Sequence, residues 1–212
     1  MAGVPDAVVI GSSSAIGAAT AATLTGAGWV VLPWALPGGG RVELTDPAAI
    51  DAAAAGHERI GAVVYAAGLF DWGDADTADP DAWGRLVAVN LTAAMRVTRR
   101  LLPALIAGAP STLVLLGSGA GLTAHPHNPA YVASKHGLVG FARATFLDVR
   151  SRGVRVTVVN PGLVAAGAGL DSGVDPDRLL QVQDVADAVL YAVNMPAHAC
   201  ATEINLQPLN ES

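Results

Sequence analysis

The sequence predicts an α/β fold, built on a doubly wound parallel sheet of about seven strands and forming a single domain over residues 1–212. Short β-branched runs alternate with alanine-rich stretches of helical character, which is typical of a parallel sheet with crossover helices. Most of the predicted strands are apolar throughout rather than alternately polar and apolar, as expected when helices cover both faces of a sheet. A chain of 212 residues without internal repeats or long linkers fits one domain.

The individual elements follow from these runs and from helix-start signals. Strands are predicted at residues 7–10, 30–32, 41–44, 62–65, 112–116, 155–160 and 203–206. Helices are predicted between them, at residues 15–25, 47–55, 81–107, 131–151 and 183–193. Asp46 before Pro47, and an aspartate beside Pro80, are typical of the first residues of helices.

One crossover helix is predicted to be missing, after the second strand. Between Leu32 and the strand near Val42 the chain has only the segment PWALPGGGR, which is too short for a helix and two loops. A tight loop rich in proline and glycine must therefore connect these two strands directly.

Composition excludes several classes of function. A formal net charge of −6 argues against nucleic-acid binding, and no block of lysine or arginine points to an anionic membrane. The single cysteine, Cys200, excludes an internal disulfide framework and a cysteine-based zinc site. His125 and His127 lack partners for a metal site and are interpreted as solvated loop residues. Neither a targeting segment nor a convincing membrane span is visible, so we expect a soluble cytoplasmic protein.

A glycine loop follows the first predicted strand, in the segment VVIGSSSAIGAAT. Gly11 and Gly17 would let the backbone turn tightly and approach a pyrophosphate, which a helix N-terminus attracts. Ser12, Ser13 and Ser14 add hydroxyl donors for phosphate or ribose. Gly-Ser turns before helices are also common as purely structural features. Because this turn is the first strand–helix connection of an α/β chain, it favours nucleotide binding.

The segment AYVASK places Tyr131 four residues before Lys135, with only small residues between them. In a helix the two side chains would share one face. A cation beside a phenol stabilises the phenolate and lowers its pKa, which would make Tyr131 a usable acid or base at neutral pH. The alternative is an aromatic anchor followed by a solvated lysine. These residues alone do not decide between the two interpretations.

Further motifs occur in a fixed order around this pair. Asn90 lies mid-helix in VAVNLTAA, and Ser118 follows the predicted strand TLVLLGS, thirteen residues before Tyr131. With the glycine loop, AAG at 66–68 and NPGLV at 160–164, the chain resembles the short-chain dehydrogenase/reductase superfamily, in a shortened form. Its C-terminal part, DVADAVLYAVNMPAHACATEINLQPL, is similar to the 3-hydroxy acid and serine dehydrogenase branch.

The resemblance implies a Rossmann-like fold and four catalytic residues. Tyr131 would give a proton to the substrate oxygen or remove it, and Lys135 would lower the phenol's pKa and bond the nicotinamide ribose. Ser118 would donate to the substrate oxygen, and Asn90 would hold a water that links Lys135 to bulk solvent. Taken singly, Asn90 could be a helix-interior residue bonded to nearby backbone, and Ser118 and Lys135 could be surface residues. Their joint occurrence indicates an active site.

The resemblance also implies a nicotinamide dinucleotide cofactor, either NADP or NAD. Contacts to it are predicted for Gly11, Ser13, Ser14, Ile16, Gly17, Trp34, Glu43, Leu44, Ala66, Ala67, Gly68, Asn90, Tyr131, Lys135, Pro161, Gly162 and Val164. The second strand ends in Pro33, Trp34 and Ala35, which offer neither an acid for a ribose hydroxyl nor an arginine for a 2′-phosphate. Trp34 could stack on adenine or simply pack. Arg41 is the nearby cation, so NADP is slightly favoured.

Several positions depart from the family's pattern. Ile10 replaces a threonine, Ala15 a glycine of the loop, Ala166 a threonine near the nicotinamide, and Tyr65-Ala66 an Asn-Asn pair that braces the sheet. We expect an NAD(P)-dependent oxidoreductase that interconverts a secondary alcohol and a ketone, with Tyr131 as general acid or base. The alternative, which these departures support, is a catalytically weak nucleotide-binding or sensor protein on the same fold.

A homodimer or homotetramer is also expected. The predicted helices at 81–107 and 131–151 carry more apolar surface than one sheet face usually covers, and the family typically pairs these helices between subunits. The remaining partner is a small-molecule carbonyl or alcohol substrate, which the sequence does not name.

Overall fold

The sheet is parallel throughout, as the apolar strand runs predict. The computed structural model describes residues 5–32, 34 and 40–209. Within them are six strands: β1 Asp6–Ile10, β2 Val30–Leu32, β3 Ala62–Tyr65, β4 Ser111–Leu116, β5 Val154–Pro161 and β6 Glu203–Leu206. Their order across the sheet is β2-β1-β3-β4-β5-β6. Successive strands wind to opposite sides of β1, so a crevice opens at the carboxyl ends of β1 and β3, where such sheets bind ligands.

Six α-helices connect and cover the strands: α1 Ala15–Gly26, α2 Pro47–Ala54, α3 Pro80–Val87, α4 Ala94–Ala107, α5 Pro129–Val149 and α6 Val182–Val193. The Asp-Pro signals are confirmed as helix starts. The Asp46 carboxylate accepts a bond from Ala48 N at 2.8 Å, and that of Asp79 accepts one from Asp81 N at 3.0 Å. Short 3-10 turns lie at Gly119–Gly121, Arg150–Arg152, Gly167–Ser172 and Pro176–Arg178.

The core has two apolar layers, one on each face of the sheet. Val8 and Ile10 point into a layer shared with α2, α4 and α5, whereas Ala7 and Val9 point into a layer shared with α1 and α6. The strand residues are buried on both faces, which explains why β3 and β4 lack polar alternation. This is the predicted Rossmann-like, doubly wound α/β fold. None of the helices in the described part is long and apolar enough to cross a membrane.

The strand predicted at 41–44 is wrong, and the described part of the sheet therefore has six strands. The Glu43 carboxylate accepts bonds from the Thr45 N–H at 3.1 Å and the Thr45 hydroxyl at 2.8 Å. The Glu43 carbonyl also accepts one from Asp46 N at 3.1 Å. These bonds fold the segment into a turn that leads into α2. The rest of the predicted proline and glycine loop, residues 33 and 35–39, lies outside the described residues.

The single helix predicted at 81–107 is interrupted. A π-helical segment, Ala88–Ala93, joins α3 to α4. Such bulges insert one residue into the helical ladder and frequently occur at functional sites. The interruption falls on Asn90, one of the predicted catalytic residues.

Candidate active site

The glycine loop between β1 and α1 lies against the chain that leaves β3. Gly11 has a φ of 87°, and a Cβ there would lie 2.6 Å from the backbone N of Ala67. A Cβ on Gly17 would lie 2.1 Å from the carbonyl oxygen of Gly11. Both positions therefore require glycine, because no side chain fits between these backbones. Ala66 and Ala67, predicted cofactor contacts, form the other side of this close approach.

The three serines of this loop are not equivalent. Ser14 is the N-cap of α1: its hydroxyl accepts a bond from Gly17 N at 3.1 Å and donates one to the Gly11 carbonyl at 2.9 Å. Its hydroxyl is thus committed to the helix start. Ser12 and Ser13 are exposed beside it, and Ile16 packs partly into the layer under α1 and α6. Of the serines predicted to contact a cofactor, Ser13 keeps an exposed side chain with no structural bond to break.

The predicted adenosine contacts lie at the edge of the core. Trp34 and Leu44 are partly buried and pack against the layer under α2 and α4. The indole N–H of Trp34 is buried without a hydrogen-bond partner in the described part of the chain. The packing alternative for Trp34 is therefore the one that the structure favours. Glu43 is exposed, and bonds from Thr45 lower the pKa of its carboxyl.

Asn90 is fully buried within the π-helical segment and holds the chain that leaves β3. Its Oδ1 accepts a bond from Leu69 N at 2.7 Å, and its Nδ2 donates to the Leu69 carbonyl at 2.9 Å. The amide also donates to the Ser134 hydroxyl at 3.2 Å. The helix is thus locally distorted at Asn90. The side chain bonds across to another segment rather than to neighbouring backbone of its own helix.

Lys135 is buried, with 5% of its surface exposed. Its ammonium donates to the Leu116 carbonyl at 2.8 Å and lies 5.7 Å from the centroid of the Tyr131 ring. A Cβ on Gly68 would lie 3.7 Å from the Lys135 nitrogen and 3.5 Å from Asn90 Oδ1, so the chain at Gly68 passes beside both groups. Burial lowers the pKa of Lys135 to about 8. The lysine can therefore change its charge near neutral pH.

Tyr131 and Ser118 meet in the same place. The Ser118 hydroxyl lies close enough to the Tyr131 phenol to lower its pKa, and the Ser118 N–H donates to Asn160 Oδ1 at 3.3 Å. Burial has the larger effect and raises the pKa of Tyr131, and Ser118 offsets only part of this rise. The predicted lowering of this pKa by Lys135 is therefore wrong for this structure. The Lys135 ammonium is bonded to the Leu116 carbonyl and faces the ring. Loss of solvation therefore decides the direction in which the pKa of the phenol changes.

The carboxyl end of β5 closes the site on the other side. Pro161 ends the strand, and Gly162 N donates to the Leu206 carbonyl at 2.8 Å. A Cβ on Gly162 would lie 2.4 Å from the side-chain oxygen of Gln207, so the chain passes close to the end of β6 here. Val164 is buried and bridges to Leu180. All predicted members of this turn lie on the ligand-binding edge of the sheet.

Two features of the site were missed in the sequence. Phe70 packs edge-on against Tyr131 and against Trp72, with ring centroids 4.8 Å apart in both pairs. The aromatic residues directly after AAG were a signal for this wall. Lys135 is also the only lysine of the chain, which singles it out more strongly than its spacing from Tyr131.

His127 is bound to its surroundings rather than simply solvated, although the residue is exposed. Its ring Nδ1 pairs with the Asp74 carboxylate, and its carbonyl accepts a bond from Gly73 N at 2.7 Å. The loop before α5 is thereby joined to the loop after β3. Among the described residues no group of three or more His, Cys, Asp or Glu side chains could hold a metal ion.

Known proteins resemble this chain in sequence and in fold. The model of the protein family described as short chain dehydrogenase matches residues 41–175. A relative from Xanthobacter autotrophicus, named inactive 2-(S)-hydroxypropyl-CoM dehydrogenase 2, is 31% identical over an alignment of 175 residues that covers 73% of this chain and 76% of that protein. Sulfoacetaldehyde reductase 2 from Chromohalobacter salexigens is 33% identical over an alignment of 150 residues that covers 66% of this chain and 58% of that protein.

The chain belongs to the short-chain dehydrogenase family, as its motifs predict. The solved structure of ligand-free aldohexose dehydrogenase from Thermoplasma acidophilum matches with a TM-score of 0.85 and covers 97% of this chain and 93% of that one. At 21% identity this likeness shows the fold alone. The chain spans little more than half the length of the sulfoacetaldehyde reductase, so activity and substrate remain proposals. The link to the 3-hydroxy acid and serine dehydrogenase branch stays a prediction.

The family typically binds nicotinamide dinucleotides, and the residues present fit such a group. At Gly11 and Gly17 backbone packs so closely on backbone that no side chain fits, and the loop leads into the N-terminus of α1, where free N–H groups attract a phosphate. Ser13 lies exposed at this point. The loop therefore has the form that a phosphate-binding turn requires, and its contacts to a cofactor stay a prediction.

Proposed function

We propose that this chain is an NAD(P)-dependent oxidoreductase that interconverts a secondary alcohol and a ketone. The observation that carries the proposal is the convergence of Ser118, Tyr131, Lys135 and Asn90 beside the glycine loop. A structural tyrosine would not need a buried lysine at its ring. The bound nicotinamide would supply or accept the hydride at the carbonyl carbon.

The chain's own residues would manage the proton and the oxygen. Since the pKa of Tyr131 is raised, its phenol is protonated at neutral pH and suited to donate a proton to a developing alkoxide. Ser118 would donate a hydrogen bond to the same oxygen. Lys135, with a pKa of about 8, would restore the proton from its buried position. Asn90 would keep the wall at Leu69 in place beside it.

The cofactor is proposed to be NADP rather than NAD. No acid occupies the end of β2, where Trp34 stands, and no carboxylate would therefore repel a 2′-phosphate there. Besides the bonds from Thr45, the charges of Arg85 and Arg41 lower the pKa of Glu43. Two cations thus lie near this edge of the sheet, and either could pair with the phosphate.

The substrate is proposed to be a small or medium-sized carbonyl compound without negative charge. Phe70 and Trp72 give Tyr131 an aromatic wall, which favours apolar groups next to the reacting carbon. The loops beside this wall, residues 69–79 and 119–128, contain four aspartates and no lysine or arginine. This charge would disfavour anionic substrates such as the sulfonate that the name sulfoacetaldehyde reductase implies for that relative.

Nucleotide titration followed by one substitution tests the proposal. NADPH and NADH are titrated separately against the fluorescence of the four tryptophans, and micromolar binding of NADPH is expected. With a panel of neutral ketones, Tyr131→Phe should then lower kcat by about 10²–10⁴-fold while the NADPH Kd stays within about twofold. Tyr191→Phe is the matched control, because Tyr191 is exposed on α6. Failure of both nucleotides to bind below millimolar concentration would contradict the cofactor and the reaction together.

A second candidate is a nucleotide-binding or sensor protein with weak or no turnover. It is supported by the changes at Ile10, Ala15 and Ala166, and by a relative that carries the name of an inactive dehydrogenase. Such a protein would bind NADPH but show no turnover in the wild type. Tyr131→Phe would then leave every measurable property unchanged.

A further inference from the structure

Tyr65 makes a contact that the catalytic residues do not explain. It ends β3, and 1% of its surface is exposed. Its hydroxyl donates to the Val89 carbonyl at 2.6 Å. Val89 directly precedes Asn90 in the π-helical segment, so a bond from the sheet fixes the backbone at the point where the helix is distorted.

This bond forms one half of a clamp between two segments. The chain from Tyr65 to Leu69 is tied to the π-helical segment twice, first by the Tyr65 hydroxyl on Val89 and then by the Asn90 amide on Leu69. The two ties are one residue apart on the helix and four residues apart on the chain that leaves β3. Both segments therefore keep a fixed position relative to each other.

The clamp lies directly beside the buried lysine. Gly68, inside the clamped segment, lies beside both groups: a Cβ added to it would be 3.5 Å from Asn90 Oδ1 and 3.7 Å from the Lys135 nitrogen. If the π-helical segment shifted along its axis, Leu69 and Gly68 would move with Asn90 and the wall beside Lys135 would change. Burial raises the pKa of Tyr65, so its hydroxyl remains a donor throughout the neutral range.

We infer that Tyr65 is a positioning residue, whose hydroxyl holds the π-helical segment so that Asn90 keeps Leu69 and Gly68 against Lys135. In its consequence for catalysis this inference rests on the proposed function. The ordinary alternative is a core tyrosine that takes Val89 as a convenient partner for its buried hydroxyl. The two interpretations differ in whether loss of the hydroxyl reaches Asn90 and Lys135 or affects stability alone.

Amide hydrogen exchange tests the clamp without any need for turnover. In Tyr65→Phe the Leu69 amide, which donates to Asn90 Oδ1, should exchange about tenfold faster, together with amides of residues 88–93. Amides of α6 should exchange as in the wild type. Tyr191→Phe is the control, because it removes an exposed hydroxyl far from the clamp. Unchanged exchange at Leu69 would overturn the inference.

Kinetics tests the consequence for the reaction. Tyr65→Phe should lower kcat about tenfold, while KM for the ketone and the NADPH Kd stay within about twofold. The double variant with Asn90→Ala should be no slower than Asn90→Ala alone, because both changes release the same clamp. A lower Tm with unchanged kcat, or losses that multiply in the double variant, would overturn the inference. A wild type without turnover would contradict the proposed function alone. Hydrogen exchange of the Leu69 amide in Tyr65→Phe would then still test whether Tyr65 holds the π-helical segment.

Discussion

Replacing Lys135 with methionine should stabilise the folded chain at neutral pH and abolish turnover at the same time. The lysine is buried and has no carboxylate partner among its described contacts; its ammonium bonds only the Leu116 carbonyl. A methionine has a similar length and needs no solvation. The substitution therefore separates the cost of the buried charge from the packing of the side chain.

The size of the effect follows from the pKa of Lys135, which falls from 10.5 to about 8 on burial. At about 1.4 kcal/mol for each pKa unit, the buried ammonium costs about 3 kcal/mol of folding free energy at neutral pH. Methionine leaves the Leu116 carbonyl without its donor, which takes back about 1–2 kcal/mol. The net gain of about 1–2 kcal/mol corresponds to about 3–6 °C in Tm for a chain of this size.

The gain should also depend on pH in a definite direction. Below about pH 8 the lysine is protonated in both the folded and the unfolded chain, so the wild type carries the whole cost. Between about 8 and 10.5 the folded form loses the proton first, and the wild type becomes more stable relative to Lys135→Met. Above 10.5 the cost has disappeared. The difference in Tm should therefore shrink steadily as the pH rises from 7 to 10.

Thermal unfolding of both proteins between pH 6.5 and 10 measures this difference. Because Lys135 is the only lysine, selective ¹⁵N-lysine labelling gives a single side-chain nitrogen resonance, whose titration midpoint should lie near 8. A midpoint near 10.5 would refute the reasoning. So would a Lys135→Met variant that is less stable than the wild type at pH 7, or a Tm difference that is the same at every pH.

Three further predictions concern the glycine loop, its helix cap and the assembly. Gly11→Ala should lower the Tm more than Gly28→Ala and raise the NADPH Kd more than about tenfold. Both glycines have φ near 90°, but only at Gly11 would a Cβ meet backbone, so equal Tm losses would contradict the close approach. Ser14→Ala should lower the free energy of unfolding, measured with urea, by about 1 kcal/mol, whereas Ser12→Ala should leave it almost unchanged. Equal values for the two variants would show that the Ser14 hydroxyl does not cap α1. Static light scattering should give a homodimer or homotetramer, and a monomer would rule out the predicted assembly.

The central strands were predictable because burial on both faces demands continuous apolar runs, as in β3, which agrees with the sequence to the residue. The bounds of β2 and β6 also agree, although both strands are only partly buried. The strand predicted at 41–44 failed for a local reason. Val42 and Leu44 are apolar and pack against the core, which their sequence pattern indicates. The carboxylate of Glu43 nevertheless bonds Thr45 and turns the chain. Such short-range side-chain bonds compete with strand formation and leave no mark in hydrophobic periodicity.

The sequence predicted how the candidate site residues are placed relative to one another, but not their electrostatics. Spacing places Tyr131 and Lys135 on one helix face, and the structure agrees. The spacing does not tell which acceptor the Lys135 ammonium binds or how deeply the Tyr131 phenol is buried. These two facts reverse the predicted direction of the Tyr131 pKa shift. The bond from Tyr65 to Val89 was invisible for a similar reason, since it joins residues 24 positions apart.

The energetic position of Lys135 bears on the choice between an enzyme and a sensor. A protein that only binds a nucleotide needs the glycine cradle, which lies at β1 and α1 and does not involve α5. Such a protein could use Lys135 as a donor to the nicotinamide ribose, but a bond to ribose does not require an ammonium buried at a cost of about 3 kcal/mol. Groups with strongly changed pKa values cluster at sites of chemistry, because a proton must be exchanged there near neutral pH. The buried lysine beside Tyr131 is therefore the strongest physical argument that the chain turns over a substrate.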